Sequence, residues 1–446
     1  MKRIIEPITV WDGGENLYEN GAIVIEDGRI TRVLSEEERS ELNRDEADER
    51  IDGRGKLAIP GLINAHTHLY SSLARGMALP GFSPKTFTEI LEGLWWRLDK
   101  ALDPESVRSS ALIGAMEAAR CGITTLIDHH ASPHAVAGSL DLVKSAVCDE
   151  IGLRGAFCYE LSDRDGPEIR DQGIAENLAF IEARDPNDRM SAALFGLHAS
   201  FTLSDETLEK VAASLPDGIG VHIHVAEGPE DEARCVEEHG MRIIERLDRF
   251  GLLRPNSILA HCLHLDEVEK DLVARSGAIV VHNPRSNMNN AVGAFDMDGF
   301  LDRDVPVGLG TDGLGENMLS ELFTGSILQK HVRKDPLAGG FPHLYKILFE
   351  NNPKIASRLL GVELGRIEPG APADIALFDY FPPTPIDAGN VLGHLLFGVA
   401  VHDLHVSDLF VAGRPVIRSG GFVGIDADEA YAHARSVARD LWSRIE

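Results

Sequence analysis

The 446-residue sequence predicts an α/β protein built on a (β/α)₈ TIM-type barrel, with a small β-sandwich-like domain formed by both chain ends. Three observations support this prediction. Strand-like and helix-like segments alternate between about residues 58 and 360, eight of them are short apolar β-rich runs, and several runs end in histidine, glutamate or aspartate. Parallel strands that end in such side chains deliver them to the carboxyl-terminal mouth of a barrel, where barrel enzymes carry their active sites.

The eight apolar runs match the number of strands that a closed barrel needs. In chain order they read LAIPGLINAH, ITTLIDHH, LRGAFCYE, SAALFGLHA, IGVHIHVAE, SILAHCLH, AIVVHNP and PVGLGTD. Helical patterns such as PESVRSSALIGAMEAARCG and EDEARCVEEHGMRIIERLDRF lie between them, as expected for repeated βα units. The longest insertion, residues 70–102, follows the first run, and we expect it to act as a lid or a substrate wall.

The two chain ends share a different pattern of short β-runs separated by glycine and proline turns. GAIVIEDGRITRVL predicts a hairpin around an Asp-Gly turn, and the charge-rich SEEERSELNRDEADER that follows is expected to be a solvated surface segment. We therefore predict one small β-domain from residues 1–57 and 361–425, and a barrel over residues 58–360, which carries the strand ends described above. Residues 426–446 are expected to form a capped amphipathic C-terminal helix.

Composition excludes several classes of function. The net charge is −28, from 43 Lys and Arg against 71 Asp and Glu, so neither nucleic acid nor an anionic membrane is an expected partner. The N-terminus lacks the pattern of a signal peptide, and no apolar run approaches the roughly 20 residues that span a bilayer. Five cysteines without a CxxC pair are expected to be reduced thiols, which favours a cytoplasmic enzyme.

Histidines at the ends of the first and fifth runs are the first candidate metal ligands. His66 and His68 are two residues apart on an extended segment, so both side chains point to the same side. An HxH pair alone is a weak signal, but imidazoles at a strand end suit zinc or iron(II). In the fifth run His222 and His224 have the same strand parity. We favour His224 because it is nearer the strand end and is followed three residues later by Glu227.

The sixth and eighth runs end in His261 and Asp312. A buried histidine bonded to a backbone carbonyl is the simpler interpretation of His261, and a helix N-cap is the simpler interpretation of Asp312. An aspartate at a strand end is, however, a poor core residue, and its carboxylate would complete a mixed nitrogen and oxygen ligand set. Each residue is ambiguous alone, but site residues at four of eight strand ends together predict one shared metal site.

These residues lie within motifs that resemble a known family. IPGLINAHTH, HIHVAE, LAHCLHL, HNPRSNM and LGTDG are similar to the signature blocks of the amidohydrolase superfamily, in its branch of cytosine deaminases, guanine deaminases and ATZ/TRZ chlorohydrolases. The resemblance covers essentially the whole chain. Through LWWRLDKALDPES, IDHHASP, CYELSDRDG, HNPRSNMNN and GHLLFG it is closest to the SsnA-type aminohydrolases.

The resemblance implies roles for the strand-end residues. The metal ligands it implies are His66, His68, His224 and Asp312. It also implies that Glu227 and His261, together with Asp312, move protons while water activated by the metal attacks the substrate. One divalent ion is expected, with zinc as the first choice and iron(II) or manganese as alternatives, because histidines with an aspartate suit all three.

The number of ions follows from a separate observation. Binuclear members of the superfamily commonly bridge two ions with a carboxylated lysine near strand four, and this chain has no lysine between Lys144 and Lys210. Glu160, which ends the third run, is an alternative bridging carboxylate. The sequence therefore favours one metal and leaves a second open.

Other strand-end and loop residues are expected to contact the substrate. They are His198, His129, Trp95 and Arg285, and for Arg285 a surface ion pair is an equal alternative. The predicted reaction is hydrolytic deamination at a non-peptide C–N bond of a planar nitrogen heterocycle such as a purine, pterin or pyrimidine. Ring opening of a cyclic amide, as in hydantoinases or dihydroorotases, is the runner-up, and an inactive scaffold of the same fold is a remote alternative. The family also makes a homodimer plausible.

Overall fold

The computed structural model describes residues 1–42 and 47–445. Strands are labelled in chain order: β1 Lys2–Trp11, β2 Leu17–Glu26, β3 Arg29–Leu34, β4 Glu49–Asp52, β5 Lys56–Pro60, β6 Leu62–Thr67, β7 Ile123–His130, β8 Arg154–Tyr159, β9 Ser191–Ala193, β10 Phe195–Ala199, β11 Val221–Val225, β12 Ile258–His261, β13 Ile279–His282, β14 Val307–Leu309, β15 Ile375–Asp379, β16 Val406–Val411, β17 Arg414–Arg418 and β18 Gly421–Phe422.

The α-helices are Glu36–Ser40, Phe87–Ile90, Trp96–Ala101, Pro104–Arg120, Ser139–Lys144, Pro167–Ala183, Asp205–Ser214, Pro229–His239, Ile243–Arg249, Glu267–Ser276, Pro284–Asn289, Met297–Leu301, Met318–Arg333, Phe341–Tyr345, Asn352–Leu360, Val391–His394 and Ala427–Ser443. Two 3₁₀ turns (Leu69–Ala74, Ser200–Thr202) and four π-helical turns (Leu91–Trp95, Ser145–Ile151, Lys346–Asn351, Leu395–Ala400) complete the helical segments. None of these helices is both long enough and apolar enough to cross a bilayer.

The central strands form two parallel sheets with the circular order of a (β/α)₈ barrel. One sheet runs β6-β7-β8-β9 and the other β10-β11-β12-β13-β14. Two isolated parallel bridges join their edges, one between Leu161 and Leu197 and one between Thr67 and Asp312. The fourth predicted run is divided into β9 and β10, which pair with different neighbours, so eight strand positions are present as predicted.

The first predicted run is divided too. Its first half is β5, which pairs with β1 and β15 in the sheet of the chain ends, and its second half is β6, the first barrel strand. Gly61 lies between them, where a side chain is excluded because a Cβ would lie 2.3 Å from the Thr124 side chain. The helical prediction for residues 230–250 is also divided, since Gly240 ends one helix with φ 69° before a second begins at Ile243.

Strands from both chain ends lie in one nine-stranded sheet of order β18-β17-β16-β15-β5-β1-β2-β3, with β4 beside β1. Ile5 and Ile23 from the N-terminal part pack in one cluster with Ile375 and Phe410 from the C-terminal part, so the two ends share a core. The predicted hairpin is confirmed: β2 and β3 pair antiparallel around Asp27 and Gly28, both with positive φ.

Two further predictions concern the surface segments. The C-terminal helix is confirmed as Ala427–Ser443, capped by Asp426, and it packs on Pro104–Arg120. The charged segment begins with the solvated helix Glu36–Ser40, whereas its residues 43–46 lie outside the described residues. The boundaries of the three predicted domains stay a prediction.

Candidate active site

Left-handed backbone at two strand ends turns key side chains into the mouth of the barrel. His261 at the end of β12 has φ 73° and Asp312 after β14 has φ 55°. Such conformations cost non-glycine residues of order 1–3 kcal/mol and persist only where the surroundings fix them. Here the His66 carbonyl accepts a 3.0 Å bond from the Asp312 amide, and the Val225 carbonyl accepts a 2.8 Å bond from Cys262.

The predicted ligands converge at this mouth. His68 Nε2 is 3.0 Å from His224 Nε2 and 3.2 Å from Asp312 Oδ1. His66 Nε2 lies 3.9 Å from the same Oδ1 and has no hydrogen-bond partner among the described residues. Potential ligand atoms of His66, His68, His129 and His224 lie within 4.8 Å of one another, and so do those of His66, His261 and Asp312.

The hydrogen bonds behind the rings show that this donor set fits a cation. His68 Nδ1 donates to the His129 carbonyl at 2.6 Å, and His224 Nδ1 donates to the His198 carbonyl at 2.9 Å. A neutral imidazole has one N–H, so each Nε2 carries a lone pair, and two lone pairs face each other at 3.0 Å. A shared positive ion removes that repulsion, and carbonyl-bonded imidazoles are the usual arrangement of histidine ligands.

The pKa values of His68 and Asp312 are shifted in directions that also indicate a cation site. Burial lowers the pKa of His68, but the hydrogen bond and charge of Asp312, with Glu160, outweigh it and raise this pKa to about 9. Burial likewise opposes the charge of Asp312, yet its bond to His68 and the neighbouring histidines hold the pKa of its carboxyl well below the usual range. The site therefore stabilises a positive charge between His68 and Asp312, which a proton on His68 Nε2 supplies in the absence of a metal and a bound cation supplies in its place.

His222 lies behind the predicted ligands, as expected for a residue of the barrel wall. Its Nε2 is 2.8 Å from His66 Nδ1, and its fully buried ring stacks on His129 at 4.5 Å. This contact leaves His66 Nε2 free to face Asp312. The preference for His224 over His222 agrees with this geometry.

The two candidate proton-transfer groups lie next to the ligand set. His261 Nε2 is 3.4 Å from Glu227 Oε2 and 3.7 Å from Asp312 Oδ2. Its Nδ1 is held by Asn287 Oδ1 at 2.9 Å. Burial raises the pKa of Glu227 to about 7, although the His261 charge opposes the shift, so this carboxyl can both hold and release a proton near neutrality.

Three residues of the short helix Pro284–Asn289 and its C-terminal end support the site. Ser286 Oγ donates to Asp312 Oδ2 at 2.5 Å, Asn290 Nδ2 donates to Glu227 Oε1 at 3.1 Å, and Asn287 holds His261. Ser286 and Asn290 were not among the predicted site residues. Their spacing of four residues, which places both on one helix face directly after a barrel strand, was the available signal.

A cleft above these groups encloses about 730 Å³ including its open mouth. His68, His224, Glu227 and Asp312 form its floor. The 70–102 insertion is confirmed as a wall, supplying the lining residues Phe87, Leu91, Trp95 and Trp96.

The four expected substrate contacts are placed differently. His198 and Trp95 line the cleft. His129 is fully buried among the ligands and is not one of the lining residues, whereas its neighbour His130 turns away and bonds Ser132 at 2.9 Å. Arg285 lies outside this cleft with its Nε 3.6 Å from Glu321 Oε1, so the structure favours the ion-pair alternative for that residue.

Comparison with known proteins identifies the family. The model of the Amidohydrolase family matches residues 57–416. The chain belongs to the amidohydrolase family. A 5'-deoxyadenosine deaminase from Methanopyrus kandleri is 32% identical over 435 residues, covering 96% of this chain and 97% of that protein. A 5-methylthioadenosine/S-adenosylhomocysteine deaminase from Desulforudis audaxviator is 32% identical over 434 residues, covering 94% of this chain and 95% of the relative.

Solved structures of other amidohydrolases share the fold along the whole chain. An adenosine deaminase from Xanthomonas campestris with bound zinc has a TM-score of 0.84 and 26% identity, covering 99% of this chain and 98% of its own. Atrazine chlorohydrolase TrzN from Arthrobacter aurescens, complexed with zinc, has a TM-score of 0.81 at 22% identity, which is evidence for the fold alone. This amidohydrolase therefore has a histidine-rich candidate metal site, on the fold that carries bound zinc in the Xanthomonas adenosine deaminase.

Proposed function

We propose that this amidohydrolase is a zinc-dependent hydrolytic deaminase of a purine, with an adenosine-type nucleoside as its substrate. One observation carries the proposal: a buried carboxyl, Glu227, adjoins a cation-binding set of histidines and an aspartate at the floor of a cleft. Relatives that are 32% identical over nearly the whole chain are deaminases of 5'-deoxyadenosine and of 5-methylthioadenosine/S-adenosylhomocysteine.

In this proposal one zinc ion is held by His66, His68, His224 and Asp312. Bound there, it would supply Lewis-acid activation of water, whose pKa such ions lower from about 15.7 to about 7. The position of Glu160 does not support a second ion. Its Oε2 lies 3.7 Å from His68 Nδ1, and this nitrogen already donates its hydrogen to the His129 carbonyl. Glu160 thus lies behind the His68 ring rather than at its ligand nitrogen.

The neighbouring side chains would handle the protons. His261 and Asp312 orient the attacking water, and His261 Nε2 accepts its proton, since Asn287 keeps the hydrogen of the neutral ring on Nδ1. Glu227, protonated at the start, would donate its proton to a ring nitrogen beside the reacting carbon, and its carboxylate would then carry the hydroxyl proton of the tetrahedral carbon to the departing amine. Return of the proton from His261 to Glu227, 3.4 Å away, would restore the starting state. Acid–base catalysis of this kind contributes roughly 10²–10⁴-fold to a rate.

Ammonia release by the zinc-reconstituted enzyme tests the reaction. The panel contains 5'-deoxyadenosine, 5'-methylthioadenosine, adenosine, guanine, pterin and cytosine, and release is expected from the adenosine-type nucleosides. His224→Ala should lose both bound zinc and turnover, while His331→Ala, on an exposed part of a helix, should keep both. No ammonia from any compound, with zinc bound, would refute the deaminase proposal. Consumption of hydantoin or dihydroorotate without ammonia would instead support ring opening.

The cellular form of the enzyme belongs to the same proposal. We expect a cytoplasmic homodimer acting on a small heterocyclic molecule, without a nucleic-acid or membrane partner. Light scattering of the purified enzyme measures the oligomer directly.

A further inference from the structure

Arg164, in the loop after β8, is a buried cation in the wall of the substrate cleft. Its side chain is only 9% exposed, and it lines the same cleft as His224 and Glu227. Trp96 of the insertion packs over its guanidinium, with Cζ 5.1 Å from the ring centroid. A buried arginine in a cleft wall needs either partners or a ligand, because an unpaired polar group costs free energy when it is removed from water.

The protein itself supplies hydrogen-bond partners for only some of the N–H donors of this guanidinium. Nη2 donates to Asp99 Oδ2 at 2.5 Å and lies 3.9 Å from Glu160 Oε1, while Nε is 3.4 Å from Asp165 Oδ2 without hydrogen-bond geometry. Nη1 and Nε are buried and have no hydrogen-bond partner among the described residues. Asp99 therefore fixes the plane of the guanidinium and leaves donors on its other edges.

The charges around Arg164 decide which ligand suits it. Asp99, only 1% exposed, already neutralises the guanidinium, and Glu160 and Asp165 add negative charge nearby, although Lys100 lies 2.9 Å from Asp165. A second carboxylate would lose its hydration without gaining a net positive partner. An uncharged acceptor, such as a ring nitrogen, a carbonyl or a hydroxyl oxygen, can take the remaining donors without that cost.

Arg164 and Glu227 have different neighbours in the cleft wall. Arg164 is near Glu160, whose Oε1 is 3.6 Å from His198 Nε2, whereas Glu227 contacts His261 and Asn290. A planar substrate whose reacting carbon is at the floor would therefore present one edge to Glu227 and another to Arg164.

We propose that Arg164 is a specificity-determining residue that donates hydrogen bonds to an uncharged acceptor of the heterocyclic substrate, so that the enzyme selects against a carboxylate-bearing substrate. This inference rests on the proposed deaminase function for the class of ligand. The predicted preference is for 5'-methylthioadenosine over S-adenosylhomocysteine, which share a thioether link and differ by an amino acid group.

The test compares Arg164→Lys with the wild type and with Arg108→Gln. Lysine keeps a positive charge beside Asp99, so the variant should fold, but it lacks the planar row of N–H donors of the guanidinium. Arg108, which is paired with Glu150 on the outer helices, is the control position. The KM for 5'-methylthioadenosine should rise about tenfold or more in Arg164→Lys while kcat and zinc content change little, because a contact made equally in the ground and transition states affects KM alone. The control should match the wild type.

Three results would overturn the inference: an unchanged KM in Arg164→Lys, equal losses in the control, or an Arg164-dependent preference for S-adenosylhomocysteine. If the wild type releases no ammonia from any compound, the deaminase proposal fails by itself. Calorimetric binding of the same two compounds to the zinc-loaded proteins then decides the role of Arg164. Affinity for 5'-methylthioadenosine that depends on Arg164 would support it, and affinity that does not, or the absence of binding, would overturn it.

Discussion

Replacing Asn287 by alanine should lower kcat through His261 without disturbing the metal. Asn287 Oδ1 accepts a 2.9 Å bond from Nδ1 of His261, a fully buried ring whose Nε2 faces Glu227 at 3.4 Å. The bond selects the tautomer with its lone pair on Nε2, and it strengthens when the ring takes up a proton. A hydrogen bond to a charged group contributes about 1.5–3 kcal/mol, which corresponds to a loss of roughly 10- to 150-fold in kcat.

The assay is steady-state ammonia release on the best nucleoside of the panel, with zinc content measured on the same samples. KM and zinc content should stay at wild-type values in Asn287→Ala. Asn287→Asp, which keeps an acceptor at the same position, should recover part of the lost rate, and Asn289→Ala, on the exposed side of the same helix, should behave as wild type. A kcat within about twofold of the wild type in Asn287→Ala would refute the assigned role of His261.

Three further predictions concern metal affinity and stability. Ser286→Ala removes the 2.5 Å bond to Asp312 Oδ2 and should weaken zinc binding by about 10- to 100-fold, measured by chelator competition, with kcat recovered at saturating zinc. Chelation should lower the Tm of the wild type, because it removes an ion that binds the folded state, and added zinc should raise the Tm in a concentration-dependent way; a Tm indifferent to zinc would contradict the site. Burial raises the pKa of Glu321 to about 8 despite Arg285, so this carboxyl favours folding below its unfolded pKa and that contribution is lost as the pH rises through about 8. Thermal melts at pH 5 and pH 9 should therefore show a smaller loss of Tm in Glu321→Gln than in the wild type, and equal losses would contradict the assignment.

Local sequence was sufficient for most of the barrel because each strand is an apolar run that ends abruptly at a polar residue. Of the three predicted segments that the structure divides, two have a glycine at the division. Gly61, between β5 and β6, packs too closely against Thr124 for any side chain, and Gly240 ends a helix in a left-handed conformation. Neither the close approach nor the choice of sheet is encoded in the periodicity of the run itself.

The ligand candidates were predictable for the same reason, since strand ends of a parallel barrel meet at one mouth. The apolar runs and the motifs of the sequence were enough to predict the barrel, the family and the set of residues from which the site is drawn. Packing in the folded chain sets their arrangement: His222 lies behind His66 rather than among the predicted ligands, Arg285 lies beside Glu321 outside the cleft, and Asn287 binds His261. Only the tertiary structure brings Arg164 into the cleft wall with Asp99 from the insertion, 65 positions away. Orientations and pairings of this kind depend on packing between distant segments, which no short pattern of residues records.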